Sequence, residues 1–377
     1  MQSLYWRSNR VSTPQLVVVA ALAAMGLVFL ELNPSQERDA QYETKLEAAR
    51  LADRAFRAIY VERISRQIPL EPEFDPAGSG LIGPPHSSIV SNEGHLGAKQ
   101  TTANPNWAAV FVQMLSEAGA EEGDLVAANM TGSFPAMNIA MYAAFEVLGL
   151  EPIVVSSVAA SEYGATHPEL TWVDMERVLF ERRLVSFRSR AVSMGGVLDV
   201  ARNHSEEGRA AIQRAIERSG RPLMSPSSFD EAVQMRMDLY DQVRGDRPIA
   251  AFVNVGGGTA SVGTSVDKRD FLPGLNTDLP SGLERPSVMR SFLERDVPVI
   301  HVSHVRDIAR RYGLPETPVE VPAPGEGGVF TQTVVQTWAV LLVLGLILLA
   351  MYLATRFDLA TTFSRGADKE EPPEQMV

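Results

Sequence analysis

The chain has 377 residues, 45% of them hydrophobic and 21% charged, with a formal net charge of −12 and no cysteine. That length supports one large core or two small ones. Without cysteine there is no disulfide framework, thiol nucleophile or thiolate metal site, and the negative balance excludes binding of nucleic acid through the overall field.

Residues 11–30, VSTPQLVVVAALAAMGLVFL, carry no charge. At 1.5 Å per residue they reach about 30 Å, the thickness of a bilayer core. No small-x-small cleavage site follows in Leu30-Glu31-Leu32-Asn33-Pro34, so the segment reads as an uncleaved anchor and not a signal peptide. Residues 37–64 lack Gly and Pro, and Leu46, Ala49, Leu51, Ala55, Ile59 and Ile64 recur at helical spacing. They predict an amphipathic helix, either a stalk or a helix packed on the domain. Residues 69–105 are broken by Gly, Pro and Ser and read as a long irregular segment, which in a compact domain is either functional or wrongly assigned. It holds His86, His95, Lys99, Thr101, Thr102 and Asn104. Asn104 as cap and Pro105 in the first turn then open a helix that Gly119 closes.

Residues 124–157 predict strand, turn, helix and strand, the βαβ unit of an α/β domain. Leu125 to Met130 is the first strand, Ala136 to Leu148 the helix with Gly149 as its stop, and Pro152 to Ser156 the second strand. Thr171 caps a helix running to Arg183. Helices also cover 205–219 and 228–243, the latter opening on the capping-box spacing Ser228 to Glu231. Ile249 to Val255 is a buried strand followed by Gly256-Gly257-Gly258-Thr259-Ala260-Ser261. Loop (267–286), helix (287–295), strand (297–302), helix (305–312) and a Pro/Gly linker (315–328) complete the alternation. Residues 329–355 are uncharged and make a second span. The pattern predicts a doubly wound, mostly parallel α/β sheet, with the helices of 171–243 as a lid or subdomain.

Arg7 and Arg10 precede the first span, while Arg356, Arg365 and Lys369 follow the second. By the positive-inside tendency both ends face the cytoplasm, and residues 31–328 form an extracytoplasmic domain flanked by two transmembrane helices in the lipid bilayer. The charges outside this segment cancel, so the domain itself carries the −12.

Two glycine-bearing turns follow buried strands, Thr131-Gly132-Ser133 and Gly256-Gly257-Gly258-Thr259. Ligands of open α/β sheets bind outside the carboxyl ends of strands, and helix N-termini there attract anions. Neither turn has a dinucleotide fingerprint or phosphate-loop spacing, so no cofactor is assigned, and tight turning alone explains the glycines equally well. Ser133 sits where a nucleophile elbow would, but Pro135 occupies its final glycine position. His86, His95 or His167 would have to act as its base. His301 and His304 lie on opposite sides of a strand and do not make a metal pair, so no metal ligand is assigned. Arg177, Arg182, Arg183, Arg188 and Arg190 form the one basic cluster, either a polyanion contact or a solvated face paired with Glu176 and Glu181. The segment from Gly94 to Asn106 and the turn from Gly256 to Ser261 are expected to converge on Thr131-Gly132-Ser133 as a three-part pocket.

Several stretches in order carry a family resemblance: Tyr5-Trp6-Arg7-Ser8-Asn9-Arg10, Leu96 to Asn106, Gly132-Ser133-Phe134-Pro135-Ala136-Met137-Asn138, Ser161-Glu162-Tyr163-Gly164-Ala165-Thr166 and Phe252 to Gly258. Over nearly its whole length the chain resembles the poly-γ-glutamate system protein family. The resemblance implies a partnership with the ligase and small membrane subunits that make this capsule or secreted polymer. It implies an accessory membrane component that binds polymer or partner subunits and carries over no catalytic residue. Two alternatives stand beside it: an extracytoplasmic hydrolase or transpeptidase using Ser133, Thr101 or Thr102, and a small-anion sensor built on the two turns. The candidate ligand contacts are Lys99, Thr101, Thr102, Asn104, Asn106, Thr131, Gly132, Ser133, Asn138, Gly256, Gly257, Gly258, Thr259 and Ser261.

Overall fold

The computed structural model of the chain describes residues 13–263, 270–282 and 285–356. The arginines at 7 and 10, the tail beyond 356 and parts of the 267–286 loop lie outside the described residues. The chain divides into two units, residues 39–330 and the two flanking segments together. The first flank contains helix α1 (Thr13–Leu32) and strand β1 (Ser35–Arg38).

The 39–330 unit begins with α2 (Tyr42–Ser65), β2 (Val90–Asn92), α3 (Leu96–Thr102), α4 (Trp107–Glu117), β3 (Leu125–Thr131), α5 (Pro135–Val147), β4 (Glu151–Ser157) and β5 (Ala160–Ser161). It continues through α6 (Trp172–Glu181), β6 (Ala191–Ser193), α7 (Glu206–Ser219), β7 (Leu223–Met224), α8 (Phe229–Arg244), β8 (Ile249–Val255) and α9 (Thr259–Val262). It closes with β9 (Gly274–Asn276), α10 (Val288–Leu293), β10 (Val299–Val302) and α11 (Val305–Arg311).

Seven strands form one sheet in the order β7-β6-β4-β3-β8-β10-β9. Its pairs are parallel except β10 with β9, so the sheet is mixed only at that edge. Parallel strands buried on both faces need continuous apolar runs, and every residue of β3 is buried. Val126, Ala128 and Met130 face a core built with α2, α4 and α5, while Leu125 and Ala127 face one built with α8 and α10. Helices therefore cover both faces.

The direction of winding decides where a ligand can enter. From β3 the chain moves outward through β4, β6 and β7, and α8 then returns it to β8 on the other side of β3. The helix after β3 packs in one core and α10, after β8, in the other. The two connections thus part at the carboxyl ends of β3 and β8, leaving a crevice there.

Helix α2 is a packing helix of this unit, with Leu46, Ala49, Ala52, Phe56 and Ile59 buried in the core shared with α4 and α5. Its buried Lys45 joins the ends of the unit, bridging Asp39 at 2.7 Å and donating to the Val329 carbonyl at 3.0 Å. The helices of 171–243 form neither lid nor subdomain. Helix α6 belongs to one core and α8 to the other, within one compact unit. Thr171 stabilises the start of α6, its N–H and hydroxyl both donating to Asp174 Oδ2 at 3.0 and 2.8 Å. Ser228 Oγ accepts the Glu231 N–H at 3.2 Å at the start of α8.

Other expected boundaries shift. The segment 69–105 is not structureless, since it contains β2 and α3. Asn106, not Asn104, occupies the cap position of α4, because the Asn104 carboxamide oxygen accepts the Asn106 N–H in a preceding turn. Within 267–286, β9 pairs antiparallel on β10.

The flanking unit is completed by β11 (Thr331–Val334) and α12 (Thr337–Arg356). The expected second span from 329 is therefore shorter, its first residues making a strand. Strands β1 and β11 pair antiparallel, from Ser35 opposite Val334 to Arg38 opposite Thr331. Helices α1 and α12 approach closely at Gly26, where an added Cβ would lie 2.4 Å from Val343 Cγ1. Small residues at such crossings let helices associate without a hydrophobic driving force. Each helix has 20 residues, or about 30 Å, and most of their apolar side chains are exposed. Two helices long and apolar enough to span a membrane thus flank an α/β domain.

Candidate functional site

The crevice between β3 and β8 is a cleft of about 450 Å³. It lies where open α/β sheets bind ligands. Three of the expected segments meet in it: Lys99 from α3, Thr131 and Ser133 from the end of β3, and Gly257, Gly258 and Thr259 after β8. Two further walls were not anticipated. Ser157 and Ser161 come from the end of β4 and from β5, and residues 195–199 come from the loop after β6.

Close backbone approach brings these segments together. Gly164 packs on the turn after β3, where an added Cβ would stand 2.6 Å from the Gly132 carbonyl oxygen and 2.9 Å from Ser133 Cα. The Ala165 N–H donates to that Gly132 carbonyl at 2.8 Å. Gly256 has φ +99°, and a Cβ there would meet Thr131 Oγ1 at 2.2 Å. Both the left-handed backbone and the contact demand glycine.

Lys99 is 3% exposed, and its Nζ donates to Ser161 Oγ at 2.7 Å and to the Ser133 carbonyl oxygen. The same nitrogen stands 4.0 Å from the centre of the Phe134 ring. Burial lowers its pKa to about 7, against an opposing pull from Glu162. A buried ammonium without a carboxylate in contact loses hydration that two dipolar acceptors only partly replace. The Ser133 side chain faces the other way in function: its Oγ accepts the Ser161 N–H at 3.0 Å. Ser133 therefore holds both Lys99 and Ser161 in place.

The far wall is strained. Leu198, Asp199 and Ala201 have φ of 55°, 63° and 52°, a region that costs roughly 1–3 kcal/mol for each non-glycine residue. A buried ion pair fixes the loop, with Arg236 Nη2 of α8 2.6 Å from Asp199 Oδ2 and the Ser193 hydroxyl donating to Asp199 Oδ1 at 2.7 Å. Arg236 also donates to Asn129 Oδ1 at 3.4 Å, and the Asn129 amide to Asn254 Oδ1 at 3.3 Å. Asn254 in turn donates to the Gly256 carbonyl at 2.8 Å. A buried polar network beneath the cleft thus ties β6, β3 and β8 together.

Several expected contact residues support the site without lining it. Thr101 and Thr102 turn their hydroxyls to the Gly97 and Lys99 carbonyls at 2.7 and 2.6 Å. Asn106 binds the 323–325 segment through Ala323 O and Gly325 N at 2.9 and 2.8 Å, and Asn104 is buried in the turn before α4. Asn138 donates to the Thr131 carbonyl at 2.9 Å and fixes the turn. Ser261 is buried in α9. Of the histidines weighed as a base for Ser133, only His95 borders the cleft. His301 is buried in β10, while His304 lies beyond the end of that strand, at the start of α11, and is exposed. Among the described residues no three His, Asp or Glu side chains cluster as metal ligands.

None of the five clustered arginines lines the cleft. Arg177 pairs with Glu181 at 2.9 Å and Arg182 with Glu62 at 3.0 Å. Arg188 donates to the Ser219 carbonyl at 2.7 Å and lies 3.8 Å from buried Glu176. Arg183 and Arg190 have exposed side chains.

Comparison with family models, curated proteins and solved structures finds no match to this chain.

Proposed function

We propose that this protein is a membrane-anchored accessory component of a poly-γ-glutamate synthesis or export complex. In this reading both ends face the cytoplasm, the α/β domain lies outside the membrane, and its cleft binds the anionic polymer. The paired arrangement of α1 and α12 with the β1–β11 ribbon supports the two-pass placement, since antiparallel pairing returns the chain to the side it left.

The observation that carries the binding assignment is Lys99. Among the described residues lining the cleft it is the only Lys or Arg, and the same lining includes Thr131, Ser133, Ser157, Ser161 and Thr259. A net −12 chain repels the bulk of a polyanion, so contact has to be local. One cation in a cleft lined by hydroxyl-bearing residues and glycines suits one carboxylate or one amide carbonyl at a time. Three of the clustered arginines are already paired with protein groups, which favours the cleft as the contact.

Crosslinking in native membranes followed by purification of the full-length protein tests the assignment. Ligase and small membrane subunits are expected to co-purify. Recovery of the protein without them contradicts membership of such a complex.

A further inference from the structure

Polymer binding alone does not require the 2.7 Å contact between Lys99 Nζ and Ser161 Oγ. We propose that Ser161 and Lys99 are a nucleophile and general base that transfer an acyl group from an amide or ester to water.

The geometry favours this pair over Thr101, Thr102 and Ser133. The hydroxyls of Thr101 and Thr102 are spent on backbone carbonyls, and Ser133 Oγ is occupied by the Ser161 N–H. Ser161 Oγ lies 2.7 Å from an amine, within the reach a general base needs. Both residues border the cleft, so a substrate can approach them. Both are also gripped by Ser133, the amine through its carbonyl and the serine backbone through its hydroxyl. A nucleophile and base held by a common third residue keep their separation when substrate enters.

Charge supports the same assignment. The groups facing Lys99 are Glu162, beside it, and Glu93, His95 and Asp199, which border the cleft. Because burial brings the amine to about 7, a substantial fraction is neutral near neutral pH. Neutral Lys99 can donate to the Ser133 carbonyl and offer its lone pair to the Ser161 hydroxyl.

Ser161 Oγ attacks the carbonyl carbon while its proton passes to Lys99 Nζ. The new C–O bond forms, the C–N or C–O bond of the substrate breaks, and Lys99 returns the proton to the leaving amine or alcohol. Water attacks the resulting ester with Lys99 again accepting a proton, which frees the carboxylate and regenerates Ser161. The 13-residue α5 opens at Phe134 on the cleft, and the positive end of its dipole favours a developing oxyanion there. That the natural substrate is a γ-glutamyl amide rests on the proposed function. The pair itself does not.

The test uses the full-length protein in detergent and a fluorophosphonate probe, with the adduct located by mass spectrometry. Labelling is expected at Ser161, its rate rising about tenfold from pH 6 to pH 8 as the base deprotonates. Ser161→Ala and Lys99→Met are expected to lower it at least about 100-fold. Mapping the adduct on the unaltered chain avoids dependence on how the variants fold. An adduct at Ser133, no adduct at Ser161, or an undiminished rate in Lys99→Met overturns the pair. Incubation with poly-γ-glutamate separates the two readings. Polymer bound while Ser161 stays unlabelled sinks the pair and leaves the binding reading intact. Ser161 labelled while polymer is neither bound nor shortened leaves the pair intact and sinks the polymer.

Discussion

Ser133 Oγ accepts the backbone N–H of Ser161 at 3.0 Å, across 28 residues of sequence. The serine at the elbow-like turn is thus a clamp for the serine that faces Lys99. Ser133→Ala leaves a buried N–H without its acceptor and is expected to cost about 1–3 kcal/mol. The thermal midpoint of the full-length protein measures the loss, while the labelling site stays at Ser161. An unchanged midpoint would remove the clamp.

Lys99 gives a pH signature with a definite sign. Its folded pKa of about 7 lies below the ordinary 10.5, so between those values the folded state binds fewer protons than the unfolded state. Stability from this residue therefore rises with pH from about 7 toward 10.5, and its burial penalty is greatest below 7. Lys99→Met removes that dependence. Midpoints of the two proteins at pH 6, 8 and 9.5 are expected to show the variant's relative advantage shrinking as pH rises. A constant difference would contradict the depressed pKa.

Gly164 tests the close approach that builds the cleft. Gly164→Ala forces a methyl to 2.6 Å from the Gly132 carbonyl oxygen. The expected cost is about 1–3 kcal/mol, read as a lower midpoint together with slower labelling, because the Ser133 turn must move. A variant as stable and reactive as the original would show that the segments need not touch.

The strained wall depends on one ion pair. Asp199→Ala leaves buried Arg236 without its carboxylate, a change expected to cost about 3–5 kcal/mol. Combining it with Arg236→Met is expected to recover most of that loss. A double variant no more stable than Asp199→Ala would locate the cost elsewhere.

How much of this was legible follows from the range of each interaction. The βαβ unit of 124–157 was readable because β3 and β4, seven residues each, carry the apolar stretches Leu125–Ala128 and Pro152–Val155, and Gly149 marks the stop of α5. Strands β6 and β7, of three and two residues, are too short to show a period. Lys99 stood out as a cation in a polar segment, and the Gly256 turn as a strand end. The contact of Lys99 with Ser161 joins residues 62 apart, and no local pattern announces it. Ser161 entered only through a stretch that carried the family resemblance. The Asp199–Arg236 pair was hidden for the same reason, since an aspartate in a loop and an arginine in an amphipathic helix both read as surface residues. The arginines of 177–190 were readable as paired in kind, but Glu62, the partner of Arg182, lies 120 residues away.

In the proposed function, the cleft at the ends of β3 and β8 binds a carboxylate-bearing polymer through Lys99. Titration of the full-length protein in nanodiscs with γ-linked glutamate oligomers at pH 6, where Lys99 is mostly protonated, tests this. Saturable binding is expected, weakened by added salt and reduced at least about tenfold by Lys99→Met, the loss of one charge-assisted hydrogen bond. Equal affinity in the two proteins would contradict the claim.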